Sequence, residues 1–246
     1  MNYHNGRTST LRQQWSLMTS AGDKMWLMTY AGDVTSGGPS DQRNLPLLTI
    51  RKTSVGAMAN NVYLLTCPRT GKQLLIDAAD DPERITALLA EGSGGLETIV
   101  TTHQHWDHHR ALAHVAASTK AMTAAGDADA AALPVIPSRR LVHGDRITFG
   151  DVTLDVIHLR GHTPGSVALA YHDPHGHTHI WTGDSLFPGG PGRTTREEDF
   201  TSLMNDLEER VFDIYDDDTW IYPGHGPDTT LGAERPHLKE WRKRGW

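Results

Sequence analysis

The chain has 246 residues, enough to bury one full core, and a formal net charge of -7 that gives no reason to expect a polyanionic partner such as nucleic acid. Cys67 is its single cysteine, so no intramolecular disulfide can form and a reducing, cytoplasmic setting is the expectation. No stretch approaches the ~20 apolar residues of a membrane span, and Arg12, Asp23 and Lys24 interrupt anything resembling a signal-peptide core.

Residues 1–45 read as an N-terminal arm, partly irregular, with "TSGGPSDQ" (35–42) as its clearest linker composition, and residues 46–246 as a single domain. "LLTIRK" (47–52), "NVYLLTC" (61–67) and "KQLLID" (72–77) are short apolar runs expected to be strands of one sheet, the last two joined by the turn-forming "PRTG". "DDPERITALLAEG" carries the signals of a helix: Asp80 or Asp81 as N-cap, Pro82 in the first turn, and Ile85, Leu88 and Leu89 at helical spacing. "LETIVTT" (96–102) reads as a buried strand that delivers "THQHWDHH" (102–109) at its C-terminal end, and "HHRALAHVAAS" continues as a helix. In the second half "RITFG", "VTLDVIHL", "SVALAYH" and "THIWTGD" are strands, "EEDFTSLMNDLEERVF" is an amphipathic helix, and "WIYPGHG" is a last short strand. Two blocks of strands with interleaved helices favour a two-sheet α/β layering over a doubly wound parallel sheet.

The chemistry concentrates in "THQHWDHH". At a strand end, residues two apart point to the same side, so His103 and His105 can present their imidazoles to one point. Asp107 and His108 follow where the chain turns, and a turn can aim both toward a second point beside the first. A lone histidine in such a place is usually solvated or hydrogen-bonded, but the full H-x-H-x-D-H order rarely arises without a metal. The rest of the chain adds His162 in "GHTPGS", Asp184 in "TGDS" and His225 in "PGHG", each at a strand end or tight turn, where ligands on a rigid scaffold are commonly placed. Five imidazoles and two carboxylates suit zinc, iron or manganese, and the lack of cysteine among them argues against a closed structural zinc site. Two divalent ions sharing a carboxylate is the natural partition.

The ordered set "THQHWDHH", "GHTPGSV", "TGDSLF" and "YPGHG" resembles the metallo-β-lactamase superfamily and, within it, the glyoxalase II (hydroxyacylglutathione hydrolase) branch, over roughly residues 47–228. The resemblance implies an α/β (α+β) αββα sandwich with the active site on its edge. It also implies that His103, His105 and His162 bind one metal, that Asp107, His108 and His225 bind another, and that Asp184 bridges them. Two such ions, zinc first and iron or manganese as alternatives, lower the pKa of a bridging water to about 7 and so generate the hydroxide that attacks a carbonyl. Asp107 can orient that hydroxide or relay its proton. A thioester suits this chemistry because its thiolate is a good leaving group, so the expected substrate is a small anionic thioester.

Arg193 occupies the basic position that contacts the glutathione peptide in that branch, whereas Thr195 stands where a tyrosine is expected. About twenty residues follow "PGHG", fewer than the helical domain by which glyoxalase II grips glutathione. With "NNVYLL" and "HLKEWRKRGW" the chain resembles short actinobacterial members, whose thiol is commonly mycothiol, so a thioester of another small thiol is the sharper expectation. A lactonase with the same ligand set and a mononuclear-iron persulfide dioxygenase are the alternatives. Oligomeric state is open. Cys67 is given no role, "HDPHGHTH" (172–179) is expected to be a solvated hairpin tip, and His109 and His114 fall beside the motif. The basic C-terminal helix, with Arg235, Lys239, Arg242, Lys243 and Arg244, is either solvated or meets an anionic substrate tail. Trp15, Trp26 and Trp246 are free to cover apolar surface or a partner.

Overall fold

Side chains that alternate along the strands build two sheets whose inner faces share one core. The computed structural model describes residues 30–92 and 95–245; Trp15, Trp26, Trp246 and the first 29 residues of the expected arm lie outside them. The first sheet runs β1 (Asp41–Asn44), β2 (Thr49–Val55), β3 (Asn60–Thr66), β4 (Gln73–Ile76), β5 (Leu96–Thr101), β6 (Met122–Gly126) and β7 (Arg139–Leu141) in sequence order. It is antiparallel as far as β4 and parallel from there on. The second contains β8 (Arg146–Phe149), β9 (Val152–His158), β10 (Val167–His172), β11 (Thr178–Gly183), β14 (Trp220–Pro223) and β15 (Thr229–Thr230), in the order β15-β14-β11-β10-β9-β8. A separate hairpin of β12 (Leu186–Phe187) and β13 (Gly190–Pro191) follows β11.

Tyr63 and Leu65 of β3 and Val167, Leu169 and Tyr171 of β10 point between the sheets, around fully buried Trp181. Their neighbours point outward. Val62 and Leu64 pack under α1 (Pro82–Glu91) and α2 (Leu112–Thr119), while Ala168 and Ala170 pack under α3 (Glu197–Leu207), α4 (Leu231–Glu234) and α5 (Leu238–Arg244). The order of layers is therefore αββα, the architecture that the sequence resemblance implies. Burial on both faces explains why "NVYLLTC" shows no polar alternation, and truncating a side chain such as Leu64 to alanine costs about 2–5 kcal/mol.

Local signals set several boundaries. Asp81 is the N-cap of α1, its carboxylate accepting from the Arg84 N–H at 3.1 Å, and Ile85 and Leu88 form the buried stripe. Asp41–Asn44, placed in the irregular arm by composition, pairs instead with β2 at the sheet edge. The helix expected through Phe212 loses its regular winding at Leu207 and finishes in one wide turn, Glu208–Phe212. The basic C-terminal segment is a packing element: Trp241 is buried against Phe212, Arg235 donates to Asp217 and to the carbonyls of Phe212 and Tyr215, and Arg242 donates to Glu208 and Asn205. In the 172–179 hairpin His172 faces Asp155 and His177 faces Asp218, and among the described residues no metal-binding triad forms there.

Candidate metal centre

Every histidine and aspartate of the motif set sits where a strand has just ended, and all of those ends lie on one edge of the sandwich. His103 and His105 follow β5, Asp107 and His108 lie in the 3-10 turn Trp106–His108, His162 follows β9, Asp184 follows β11 and His225 follows β14. The ligand atoms fall into three groups, each within 4.8 Å: His103, His105 and His162; Asp107, His108 and His225; and His103, His108 and Asp184. In the second group the His108 and His225 Nε2 atoms are 3.2 Å apart and lie 3.5 and 3.4 Å from Asp107 Oδ2. Asp184 stands between the groups, with Oδ1 3.4 Å from His108 Nε2 and Oδ2 3.7 and 3.6 Å from the Nε2 atoms of His162 and His225.

Four of the five rings are aimed by their other nitrogen. His162 Nδ1 donates to the Arg193 carbonyl (2.7 Å), His225 Nδ1 to the Met58 carbonyl (3.0 Å) and His108 Nδ1 to Asp77 Oδ2 (2.9 Å). Asp77 also accepts from the Thr102 hydroxyl, which leaves that oxygen free to accept from His103 Nδ1 at 3.0 Å. These bonds fix the tautomer that leaves Nε2 of all four rings with a bare lone pair. Asn60 Nδ2 donates to Asp107 Oδ2 at 2.9 Å, and Asp129 accepts from Gln104 N, Thr163 Oγ1 and Gly165 N, tying the His105 loop to the His162 loop. Sequence reasoning does not single out Asp77, Thr102, Asp129 or Asn60. The only signal for the two carboxylates is an aspartate directly after a buried strand or a tight turn, a common surface pattern.

Gly224 shows how little room remains. A Cβ there would lie 2.2 Å from Asp184 Oδ1 and 2.7 Å from His108 Cε1, so "PGHG" needs its first glycine for close approach. The loop that carries His225 is held from below by Lys52, which is fully buried and donates to the carbonyls of Gly32 and Gly226 (the latter at 2.8 Å) and to Asp228 (2.7 Å).

The donor set fits divalent cations. Zinc with bonds of about 2.0–2.1 Å separates tetrahedral ligand atoms by about 3.3 Å, close to the spacings around His108, His225 and Asp107. His103 Nε2 and Asp184 Oδ1 are buried with no hydrogen-bond partner among the described residues, and both belong to the cluster. Burial, reinforced by the surrounding imidazoles, holds His103 well below the usual histidine range. Burial also works against a charged His108, but Asp184 and Asp77 outweigh it and push the ring up to about 10. A dication held there would take the place of that proton.

A cleft of about 480 Å³ opens beside His105 and His162, and Gln104, Arg160, Thr195, Arg196 and Ser202 line it. Arg193 is exposed at the margin and reaches the site through its carbonyl, while its side chain is not among the lining groups. His109 donates to the Gln104 carbonyl and so braces the motif loop; His114 is exposed on α2.

Residues 55–225 match the family described as the Metallo-beta-lactamase superfamily. A hydroxyacylglutathione hydrolase of Thermosynechococcus vestitus is 35% identical over 134 residues, which cover 54% of this chain and 52% of that protein. The cytoplasmic isozyme of hydroxyacylglutathione hydrolase of Saccharomyces cerevisiae is 31% identical over 177 residues, 68% of this chain and 63% of that one. The chain thus spans about half to three-fifths of the length of these relatives. The solved structure of TTHA1623 in a di-iron-bound form is 31% identical, with a TM-score of 0.62 over 75% of this chain and 96% of that one. Layering, donor geometry and sequence agree: the chain belongs to the metallo-beta-lactamase superfamily, in its glyoxalase II-like branch.

Proposed function

We propose that the protein is a metal-dependent hydrolase of an anionic thioester of a low-molecular-weight thiol, working with two divalent cations. The observation that carries this reading is Asp184, whose two carboxylate oxygens face donors of both sets. His103, His105 and His162 would hold one cation, Asp107, His108 and His225 the other, with Asp184 shared. Zinc is the first choice, with iron or manganese as alternatives, and the di-iron-bound form of the similar TTHA1623 supports a pair. Bound there, two cations supply an acidified water and a Lewis acid for the substrate carbonyl.

The chain's own groups supply the rest. Burial works against the charge on Asp107, but the neighbouring His225 and His108 rings and the Asn60 amide outweigh it and hold the carboxyl below its usual range, and Asn60 donates to Oδ2, so the carboxylate is fixed in place to orient a water or take its proton. Trp106 and Met58, both about half exposed, offer apolar surface beside the second donor set. Arg193 at the margin and Arg160 and Arg196 in the cleft offer guanidinium groups to an anionic thiol moiety. Thr195 in place of a tyrosine supports a thiol such as mycothiol over glutathione. A reducing cytoplasm fits the lone cysteine and the cytoplasmic isozyme of yeast. Among the described residues no helix is long and apolar enough to cross a membrane.

The test is release of free thiol from S-lactoylglutathione, a mycothiol thioester and a lactone control by zinc-loaded protein, with metal content measured on the same sample. The expected result is rapid thiol release with two metals per chain and a preference for the mycothiol ester. Turnover of the lactone alone would replace the reading with a lactonase, and one iron per chain with oxygen consumption would replace it with a dioxygenase.

A further inference from the structure

At the end of the sandwich opposite the histidine cluster, the sheets part around a second cavity of about 480 Å³. Its walls come from the far ends of strands whose near ends reach the metal centre. β3 begins at Asn60, which touches Asp107, and ends beside Cys67; β10 begins at Val167, bonded to the Thr102 carbonyl, and ends at Tyr171 and His172. Cys67 lines the cavity at the head of a turn in which its carbonyl accepts from Gly71. Cys67 is 1% exposed, and the Thr70 hydroxyl and the N–H groups of Asp151, Thr70 and Arg69 face its sulfur. Gly150, at φ +52°, makes this possible: a Cβ there would lie 3.0 Å from Sγ, so a larger residue would push the 150–151 turn off the thiol. Burial pushes the thiol up, but these four donors outweigh it and hold it below its usual value.

A second observation is independent of the cysteine. Tyr171, 5% exposed and lining the same cavity, has a hydroxyl with no hydrogen-bond partner among the described residues. A buried hydroxyl left unmatched is unfavourable, so a ligand that accepts from it is favoured. Arg69 and Arg146 also line the cavity, and their partners Asp151 and Asp155 are one-third or more exposed. Such surface pairs are weak enough for an incoming carboxylate to exchange into them.

We propose that this cavity is a thiolation site, in which Cys67 exchanges with the disulfide of a small carboxylate-bearing thiol. The Cys67 thiolate attacks one sulfur of that disulfide. A new S–S bond to Cys67 forms as the old one breaks, and the departing thiolate leaves with the bonding electron pair and takes a proton from water. The incoming disulfide is the oxidant, so no other co-reactant is needed. Arg69 and Arg146 receive the carboxylate, and the Tyr171 hydroxyl donates to the bound group.

Because the chain has one cysteine, intact mass reads the reaction without ambiguity. Native protein is incubated at pH 7 with cystine or with neutral 2-hydroxyethyl disulfide, and the same two reactions are run on protein unfolded in urea, with Cys67→Ser as the blank. The expected native rate with cystine is at least about a tenth of the unfolded rate, and the cystine-to-neutral rate ratio rises about threefold on folding. A native rate below that tenth would show a sealed, inert thiol and overturn the proposal. An unchanged ratio would overturn the assignment of the cavity to a carboxylate-bearing partner.

Discussion

The two ends of the sandwich are built from the same strands and treat polar groups in opposite ways. At the metal edge the sheets are stitched together: Val167 N–H donates to the Thr102 carbonyl, Asn61 N–H to the Gly224 carbonyl, and the Tyr63 hydroxyl to the Pro223 carbonyl at 2.7 Å. Histidine rings with braced outer nitrogens fill the remaining space. At the far edge a cavity opens, the Arg69–Asp151 pair sits on the surface, and the Tyr171 hydroxyl has no partner among the described residues. One end is pre-organised around positions that a cation would occupy. The other leaves room and an unmatched donor, which is what separates a site for resident ions from a site for a transient ligand.

The sharpest way to break the near end is Gly224→Ala. With a Cβ 2.2 Å from Asp184 Oδ1, metal binding and thioester turnover should both fall by about 100-fold or more, read by metal analysis and thiol release. Full activity would show that Asp184 can be displaced without harm. Asp184→Asn should lower metal content from two per chain toward one and cut turnover by about 10²-fold; two tightly bound metals at normal turnover would remove its shared role. Asp77→Asn leaves the ligands in place but deprives His108 and Thr102 of their acceptor, so metal affinity should weaken by about 10–100-fold, measurable by competition with a chelating dye.

Smaller effects are expected away from the donors. Arg193→Ala should raise KM for an anionic thioester several-fold while kcat changes little, and an unaltered KM would place substrate recognition elsewhere, on Arg160 or Arg196. Asp206 tests the fold behind the cleft. Its buried carboxylate accepts from the Arg160 backbone and guanidinium, and these bonds outweigh burial and hold it below the usual carboxylate range. A depressed folded value means that the stabilisation is present above the unfolded value near pH 4 and is lost as pH falls through the folded one. Asp206→Asn should therefore lower Tm by a few degrees at pH 7, with the gap to the parent protein closing under acid. A gap constant with pH would assign the loss to shape alone.

The candidate donor cluster is legible in the sequence because four of its members lie within six residues, and local spacing dictates where such side chains point. Their supports are not. Asp77 and Asp129 meet His108, Thr102 and Thr163 only after strands distant in sequence are laid side by side, and an isolated aspartate after a strand carries no mark of that future. The strands β6 and β7 are hidden for a different reason: "MTAAG" and "RRL" are short, and alanine favours helix, so only parallel pairing, of β6 with β5 and of β7 with β6, makes them strands. β1 escapes notice because its polar "DQRN" is an edge strand with one partner. Arg193 shows the limit of motif transfer. Its position along the loop is readable, but the direction of a long side chain on a turn is not.

Each donor group draws on both sheets: His103 and His105 against His162, and Asp107 and His108 against His225. Cations held there would act as rivets between two halves that are far apart in sequence, adding to stability in proportion to the logarithm of free metal over its dissociation constant. The steady-state amount of this protein in a cell would then follow metal supply through proteolysis of the unriveted chain, before any change in catalysis is felt.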